Sequence, residues 1–429
     1  MIAPAARIVR RTAAQAALVG RRDATVAAWR ALAGEPDETR ARAAVAAQLP
    51  VLAARLWRSP YWCEVLRAAG LAPGELDSLE ALQGFPGLDR AALAAAAETL
   101  PALAPGDEPV VVKSSGTTGD PVRVVKDRWD SLVMWAALAW WLEVAGVGLP
   151  ARPRVVLLDS LPGGLEYSVR LRLVGDGSGA LHRVSLARGS ARAAMRLARL
   201  RPSVLFSDPD GLHWLADAPQ GSSRPQLLLT SAQHFASESR VAFVPTPVIN
   251  YYATTETGPI AWECLRRRGR FHVLAPEVWV ESVEDELVVT RLRDSVLPLL
   301  RYRTGDAGRV EREPPAGCAC GVHGWSIVAF GGRRACTFVT PSGRTVDAWS
   351  LAWLFKHHPL RSFRLVQLLP DAFRLSFEGD PAAAAPLCAQ LVDALVQQGW
   401  TRDTLRLDVR QEASAAAPLS KPAPFAREF

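Results

Sequence analysis

Apolar residues recur at helical spacing through the first hundred positions of the chain. Residues 1–100 are rich in Ala, Leu and Arg, and the pattern is broken at Pro60, Pro73 and Pro86. Proline does not fit inside a helix, so this spacing predicts a series of short helices and requires no strand. We therefore expect a helical N-terminal section over 1–100.

From Glu108 onward the apolar residues form short, partly β-branched runs that alternate with helical stretches. The runs lie at 109–113, 154–158, 203–206, 226–229 and 247–250, and the helical stretches at 131–145, 191–200 and 211–216. Alternating strands and helices predict an α/β fold with a mainly parallel sheet, in which the loops at the strand ends can bind a ligand. After Tyr251 the pattern favours strands, at 277–283, 286–291 and 308–311.

Gly331-Gly332 interrupts this pattern and is a candidate hinge, because glycine tolerates large backbone excursions. The residues beyond it alternate between strand and helix patterns, with helices at 349–357 and 381–398 and strands at 363–369, 372–377 and 405–409. The sequence therefore predicts two domains: a large one over 1–332 and a small, mobile α+β domain over 333–429.

Composition narrows the class of protein. The chain has 429 residues, of which 49% are hydrophobic and 22% charged, as in soluble globular proteins, so disorder is excluded as the main state. The net charge of +7 comes from arginines interleaved with acids, and no stripe for nucleic acid is expected. The best apolar stretch, 131–142, is shorter than the roughly 20 residues of a membrane span. Six cysteines form no disulfide framework, which favours the cytoplasm.

A loop of small hydroxyl residues and glycines follows the 109–113 run directly, namely Ser114, Ser115, Gly116, Thr117, Thr118 and Gly119. Its glycines allow close approach to a ligand, and its N–H and O–H groups can donate to anionic oxygens. The loop lacks the Gly-Lys-Ser/Thr ending of a Walker loop, which disfavours ordinary nucleotide hydrolysis. We interpret it as a phosphate-binding loop.

Two further motifs follow in order. Asn250-Tyr251-Tyr252-Ala253-Thr254-Thr255-Glu256 ends an apolar run, and Pro298-Leu299-Leu300-Arg301-Tyr302-Arg303-Thr304-Gly305-Asp306 comes later. With the loop, they resemble the ordered signature of the adenylate-forming superfamily, which includes the acyl-CoA synthetases. Within it the whole chain looks most like the phenylacetate-CoA ligase branch, through the segments Ser59-Pro60-Tyr61, Phe85-Pro86-Gly87-Leu88, Glu263-Cys264, Phe271-His272-Val273 and Cys318-Ala319-Cys320-Gly321.

The resemblance implies a role for each matched residue. Thr255 would contact the α-phosphate, and Glu256 would hold Mg²⁺. Tyr252 would pack on the adenine, and Asp306 would accept hydrogen bonds from the ribose hydroxyls. Lys421, one of only four lysines, would bridge the carboxylate and the α-phosphate, so Lys421, Thr255 and Glu256 form the expected catalytic set.

The remaining nucleotide contacts match the family less closely. Ser231, Ala232 and Gln233 occupy the place of the family's adenine turn, and Arg333 is the best match for an arginine that holds the ribose or phosphate, with Arg334 as the competing choice. The family's hinge aspartate is replaced by Ala335-Cys336, and the glycine before the terminal lysine by Ser420. These departures leave open whether the small domain alternates between two orientations.

The cysteines and one histidine form a second candidate site. Cys264, His272, Cys318 and Cys320 lie in two turns and supply the Cys₃His set of a closed, structural zinc site. Spacing alone leaves reduced, packed cysteines equally open, and His323 could replace His272. Similar residues occur in the phenylacetate-CoA ligase branch, and this resemblance favours zinc.

The sequence thus predicts an ATP- and Mg²⁺-dependent ligase that forms an acyl-adenylate, from an aryl or arylacetic acid by resemblance, and transfers the acyl group to a thiol such as CoA. One alternative is an adenylating enzyme of natural-product biosynthesis with an amine or carrier-protein acceptor. Another is an adenylate-binding protein without turnover. The expected partners are a small carboxylic acid and the acceptor, without nucleic acid or membrane, and a homodimer is left open.

Overall fold

The computed structural model describes residues 4–105, 107–113, 122–160, 165–174, 177–218, 224–231, 238–333, 337–351, 354–355, 360–379, 382, 384–411 and 425–429. They form two compact units, with the division between Gly332 and Arg333. None of the helices in these ranges has the length and apolar character needed to cross a membrane.

The N-terminal section of the first unit is helical. Its helices are α1 (Pro4–Ala33), α2 (Glu38–Ala46), α3 (Leu49–Leu56), α4 (Pro60–Ala68) and α5 (Arg90–Ala95), with 3₁₀ turns at Pro73–Glu75 and Ala81–Gly84. Side chains of Asp37, Ser59 and Asp89 accept backbone N–H groups at the starts of α2, α4 and α5. Pro60 does not interrupt a helix. It occupies the first turn of α4, where a missing N–H costs nothing.

The largest sheet of the first unit is mixed and has twelve strands. Its order is β11-β12-β13-β14-β10-β9-β8-β7-β6-β3-β5-β4, and the strands are β3 (Arg154–Asp159), β4 (Tyr167–Leu171), β5 (Gly179–Ser185), β6 (Val204–Ser207), β7 (Leu227–Thr230), β8 (Val248–Thr254), β9 (Gly258–Glu263), β10 (Phe271–Val273), β11 (Val278–Val283), β12 (Glu286–Arg291), β13 (Tyr302–Arg312) and β14 (Trp325–Arg333). The predicted α/β fold is confirmed. Parallel pairing is restricted to β3 and β5–β8, and antiparallel strands continue the sheet from β8 onward.

The run at 109–113 was expected in the parallel sheet, and this is wrong. It forms β1 (Val110–Lys113), which pairs antiparallel with β2 (Arg123–Lys126) in a separate two-stranded sheet. Val110 and Val111 are about half exposed, whereas a strand inside a parallel sheet is covered on both faces. A β-branched run therefore identified a strand without identifying its partner.

Helices cover both faces of the parallel strands: α6 (Val133–Val144), α7 (Ser190–Leu200) and α8 (Pro209–Asp217). Successive residues of β3 point to opposite cores, since Val155 packs with α1 and α6 whereas Val156 packs with α7. This alternation follows from the period of two in a strand, and burial on both faces explains why these strands are continuous apolar runs.

The second unit has its own core. Its strands are β15 (Thr337–Val339), β16 (Thr345–Asp347), β17 (Leu360–Leu369), β18 (Ala372–Gly379), β19 (Arg406–Gln411) and β20 (Phe425–Arg427), with helix α9 (Ala384–Gln397) and a 3₁₀ turn at Ala348–Leu351. The four-stranded sheet has the order β19-β18-β17-β20. The predicted helix at 349–357 is described only in part. The sequence did not indicate β20, which pairs parallel with β17 and places Phe425 in the core.

A buried ion cluster joins Asp130, which lies three residues before α6, to the end of β12 and the connection that follows it. The Asp130 carboxylate lies 3.2 Å from Arg293 Nε and 3.4 Å from Arg291 Nη1. Ser295 Oγ donates to Asp130 at 2.5 Å and accepts from Arg291 Nη2 at 2.6 Å. Burial raises the pKa of Asp130, but the two guanidinium groups outweigh it and lower that pKa to about 2. Burial in turn lowers the pKa of Arg291 to about 10.

Asp130→Asn should lower the free energy of unfolding by about 3–5 kcal/mol, because it removes the carboxylate that two buried guanidinium groups share. The lowered pKa adds a pH dependence. The contribution of Asp130 is complete above its unfolded pKa of about 4 and is lost as the pH falls towards 2. Chemical denaturation between pH 7 and pH 2 measures both effects, with the exposed Asp77→Asn as control. Equal stabilities of the two variants would contradict this role.

Candidate functional site

The turn between β8 and β9 places Glu256 at the carboxyl end of the parallel strands. Thr254 Oγ1 accepts the Thr257 N–H at 3.0 Å and lies 2.9 Å from Thr257 Oγ1, which closes the turn. Gly258 completes it at φ +75°, in the left-handed region that favours glycine. Glu256 is only 4% exposed, and Thr255 beside it is half-buried. Ser231 follows the neighbouring strand β7, at the same edge of the sheet.

The Glu256 carboxylate has a cationic partner that sequence reasoning missed. Arg90, the first residue of α5, donates from Nη1 to Glu256 Oε1 at 3.0 Å. An almost buried carboxylate requires such a partner. No motif marks Arg90, because the contact joins residues that are 166 positions apart.

Tyr252 and Asp306 meet directly, although three strands separate β8 from β13 in the sheet order. The Tyr252 hydroxyl donates to Asp306 Oδ2 at 2.6 Å, and both residues are buried. The Tyr252 ring lies 4.6 Å from that of Phe330, centroid to centroid. Burial, followed by the Asp306 charge, raises the pKa of Tyr252 well above its ordinary value, so the hydroxyl remains a donor. The two motifs therefore converge on one hydrogen bond.

The other expected nucleotide contacts are described less fully. Ser114 to Gly119, Ala232, Gln233, Arg334 and Lys421 lie outside the described residues. The strands that flank the Ser/Thr/Gly loop are paired, with Lys113 opposite Arg123. Arg333 ends β14.

The four expected zinc ligands lie together in the first unit. One ligand atom from each of Cys264, His272, Cys318 and Cys320 lies within 4.8 Å of the others, and three of the residues are buried. The two sulfurs of Cys264 and Cys318 are 3.6 Å apart, and Cys320 Sγ is 3.2 Å from His272 Nε2. His323, the alternative ligand, does not belong to the group that the described residues form.

These separations fit a tetrahedral ion. Two sulfurs that each lie about 2.3 Å from a zinc ion are about 3.8 Å apart, whereas a disulfide requires about 2.05 Å. The Cys264 sulfur also lies 3.4 Å and 3.3 Å from the N–H groups of Arg266 and Arg267. The hydrogen bond from Cys320 lowers the pKa of the Cys264 thiol, whereas burial raises the pKa of Cys318 and the bond with Cys264 raises that of Cys320, so in the absence of an ion the thiolate is concentrated on Cys264.

A hydrogen-bond chain sets the tautomer of His272. Ser326 Oγ donates to Glu313 Oε1 at 2.5 Å and lies 2.9 Å from His272 Nδ1. A hydroxyl has one proton, so Ser326 accepts from the His272 Nδ1–H, and Nε2 keeps its lone pair on the side of the cysteines. Arg270 Nη1 holds Glu313 at 2.8 Å. Such a support behind a histidine is the usual arrangement at protein-bound metals.

Comparison with protein-family models and with curated proteins finds no match. Comparison with solved structures shows the fold of the chain. It is similar to 2-hydroxyisobutyryl-CoA ligase in the postadenylation state with R3-HIB-AMP, at a TM-score of 0.60 and 17% identity over 91% of this chain and 90% of that one. The same ligase with 2-HIB-AMP and CoA in the thioesterification state gives 0.55 and 17% over 91% of both chains. At these identities the likeness establishes the fold.

Tyr252→Phe should lower the free energy of unfolding by about 1.5–3 kcal/mol, because it removes a buried hydrogen bond to a charged group. Tyr167→Phe is the control, since Tyr167 is half-buried on the edge strand β4. Denaturant titration of the two variants measures the difference. A loss for Tyr252→Phe no larger than that for Tyr167→Phe would show that the bond to Asp306 adds nothing to stability.

Proposed function

We propose that this protein is an ATP- and Mg²⁺-dependent ligase that activates a carboxylic acid as its acyl-adenylate and passes the acyl group to a thiol such as CoA. The observation that carries the proposal is the 2.6 Å hydrogen bond between Tyr252, on the strand that leads to Glu256, and Asp306 on β13. In a fold shared with an acyl-CoA ligase, this supports the roles that the motifs imply. The sequence motifs favour an aryl or arylacetic acid of the phenylacetate-CoA ligase type.

The first half-reaction joins two anions. A carboxylate oxygen forms a bond to the α-phosphorus of ATP, and the bond from that phosphorus to the bridging oxygen breaks, so pyrophosphate leaves with the electron pair. Cations are therefore needed close to the phosphate oxygens on which negative charge accumulates. Lys421 is the proposed cation between the carboxylate and the α-phosphate, and the Thr255 hydroxyl is the proposed donor to the α-phosphate.

Glu256 fits the magnesium that the reaction needs. Mg²⁺ prefers hard oxygen ligands and usually takes one or two carboxylates together with substrate phosphates. The Glu256 carboxylate is almost buried, and its described partner is the cationic Arg90, so a second cation can compete for it. When bound, Mg²⁺ would neutralise phosphate charge. The proposed role of Asp306 is to accept the ribose hydroxyls while it holds Tyr252 against the base.

In the second half-reaction the acceptor thiol gives its proton to solvent, its sulfur bonds to the acyl carbon, and the bond from that carbon to the phosphate oxygen breaks, so AMP leaves with the electron pair. CoA is the proposed acceptor, since the similar ligase was solved with CoA. The unit from Arg333 onward is proposed as the mobile domain that contributes Lys421 to adenylation.

The function is tested by carboxylate-dependent ATP–pyrophosphate exchange over a panel of aryl, arylacetic and aliphatic acids. We expect exchange with at least one acid, and a loss of about 100-fold or more in Lys421→Ala with ATP affinity retained. Lys356→Ala is the matched control, since Lys356 lies outside every motif. Addition of CoA, an amine or a carrier protein to the active pair then identifies the acceptor.

Absence of exchange with every acid, together with measurable ATP binding, would favour an adenylate-binding protein without turnover. An exchange rate in Lys421→Ala equal to that of the native chain would remove this lysine from the mechanism.

We further infer that Cys264, His272, Cys318 and Cys320 hold a structural Zn²⁺. The close approach of the four ligand atoms and the Nδ1–H tautomer of His272 support this. Four protein ligands fill a tetrahedral ion and leave no position for a substrate, so the site would stabilise the fold and take no part in the reaction.

Protein purified without chelators should contain about one zinc ion per chain by elemental analysis, and Cys318→Ser should lose most of it and unfold at a lower temperature. The control is Cys388→Ser, because Cys388 is a free thiol of α9 outside the cluster. Native protein with only trace zinc, or equal zinc in both variants, would contradict the site.

A further inference from the structure

The main chain of the Glu256 turn rests on two buried arginines that belong to none of the motifs. Arg291 Nη1 donates to the Glu256 carbonyl at 3.0 Å, and Arg293 Nη2 donates to the Thr257 carbonyl at 2.6 Å. Arg291 is 1% exposed and Arg293 5% exposed, so water does not compete for these bonds. Two consecutive carbonyls are thus held from behind the turn.

Both arginines are themselves fixed. Asp130 pairs with both of them, Glu277 lies 4.0 Å from Arg293 Nε, and Arg291 Nη2 donates to Ser295 Oγ at 2.6 Å and to the Leu297 carbonyl. The planar guanidinium spreads its donors in a rigid fork, so one Arg291 side chain can join the Glu256 turn to the 295–297 segment. The ammonium of a lysine cannot reach these partners in the same geometry.

The packing of Arg293 against the turn also limits the space there. A Cβ atom on Gly258 would lie 3.1 Å from Arg293 Nη2, so the close approach of this buried side chain favours glycine in addition to the positive φ. The turn and the arginines therefore pack as one unit. A change in the fork of Arg291 should be transmitted to the Glu256 main chain.

We propose that Arg291 is a positioning residue, which acts with Arg293 and Asp130 to fix the Glu256 backbone so that its carboxylate is presented to the metal–nucleotide complex. This rests on the proposed function, in which Glu256 holds Mg²⁺. Arg291 touches no substrate. It binds the main-chain carbonyl of Glu256, whereas the side-chain carboxylate of Glu256 is the proposed metal ligand.

The test is metal binding, measured separately from turnover. Mn²⁺ is titrated into protein with α,β-methylene-ATP, free Mn²⁺ is followed by electron paramagnetic resonance, and nucleotide affinity is measured without metal. Arg291→Lys should weaken Mn²⁺ binding about 10-fold, with metal-free nucleotide affinity unchanged within about 2-fold. In ATP–pyrophosphate exchange, the half-saturating Mg²⁺ concentration should rise by a similar factor.

Arg240→Lys is the matched control for the loss of a buried arginine. Arg240 is 7% exposed, donates to the Val248 carbonyl at 2.6 Å and pairs with Glu263, away from the Glu256 turn. Its variant should lose stability without a change in Mn²⁺ affinity. Ser295→Ala removes hydrogen bonds to Arg291 and Asp130 at little risk to folding, and it should weaken Mn²⁺ binding about 3-fold.

Native Mn²⁺ affinity in Arg291→Lys and Ser295→Ala would overturn the proposal, as would equal weakening in Arg240→Lys. If Arg291→Lys does not fold, Ser295→Ala decides by the same measurement. Failure of the proposed function is seen in a separate assay, as an absence of ATP–pyrophosphate exchange in the native chain. A native chain that binds no Mn²⁺ in the presence of the nucleotide analogue would overturn the positioning role of Arg291.

Discussion

The pairing of Asp130 with Arg291 and Arg293 is the constraint on which much of the first unit depends. These charges are buried, so each one is tolerable only while the others are present. Together they fix the 292–300 segment between β12 and β13. The N-terminal section packs on that segment, since Arg55 binds Asp294 and the Trp62 indole donates to the Pro298 carbonyl, and just beyond that section the Ala102 N–H donates to the Val296 carbonyl. A polar cluster therefore determines how an apolar helical section meets the sheet.

The same cluster lies behind the Glu256 turn, while Arg90 lies on the carboxylate side, so Glu256 is held by cations from two directions. The contact of the carboxylate with Arg90 and the contact of the main chain with Arg291 are separate, so a second cation can compete for the carboxylate while the backbone stays in place. This is the property required of a residue that is proposed to take up a metal only with its nucleotide.

Sequence patterns predicted helices and strands well where burial alone determines them. They predicted poorly where the position of a strand or side chain depends on a partner far along the chain. The run at 154–158 became Arg154–Asp159, because a strand covered on both faces is apolar throughout. The run at 109–113 was assigned to the wrong sheet, since its partner β2 lies beyond the loop. Tyr252 and Asp306 were found as motif residues, but their direct bond was not. Arg291 and Arg293 end an apolar strand pattern, and two charges there are the one signal that could have indicated a buried cluster.

Strand β9 connects the two candidate sites. Gly258, at its start, packs against Arg293, and Glu263, at its end, precedes Cys264 of the cysteine–histidine cluster. All six of its residues are buried, so both ends of a short rigid strand are held, and its pairing with β8 cannot slip. That pairing shifts register between Tyr252 and Ala253. Such a bulge re-aims the neighbouring side chain, and the buried pairing with β9 keeps the bulge in place, so β9 supports the orientation in which Tyr252 reaches Asp306.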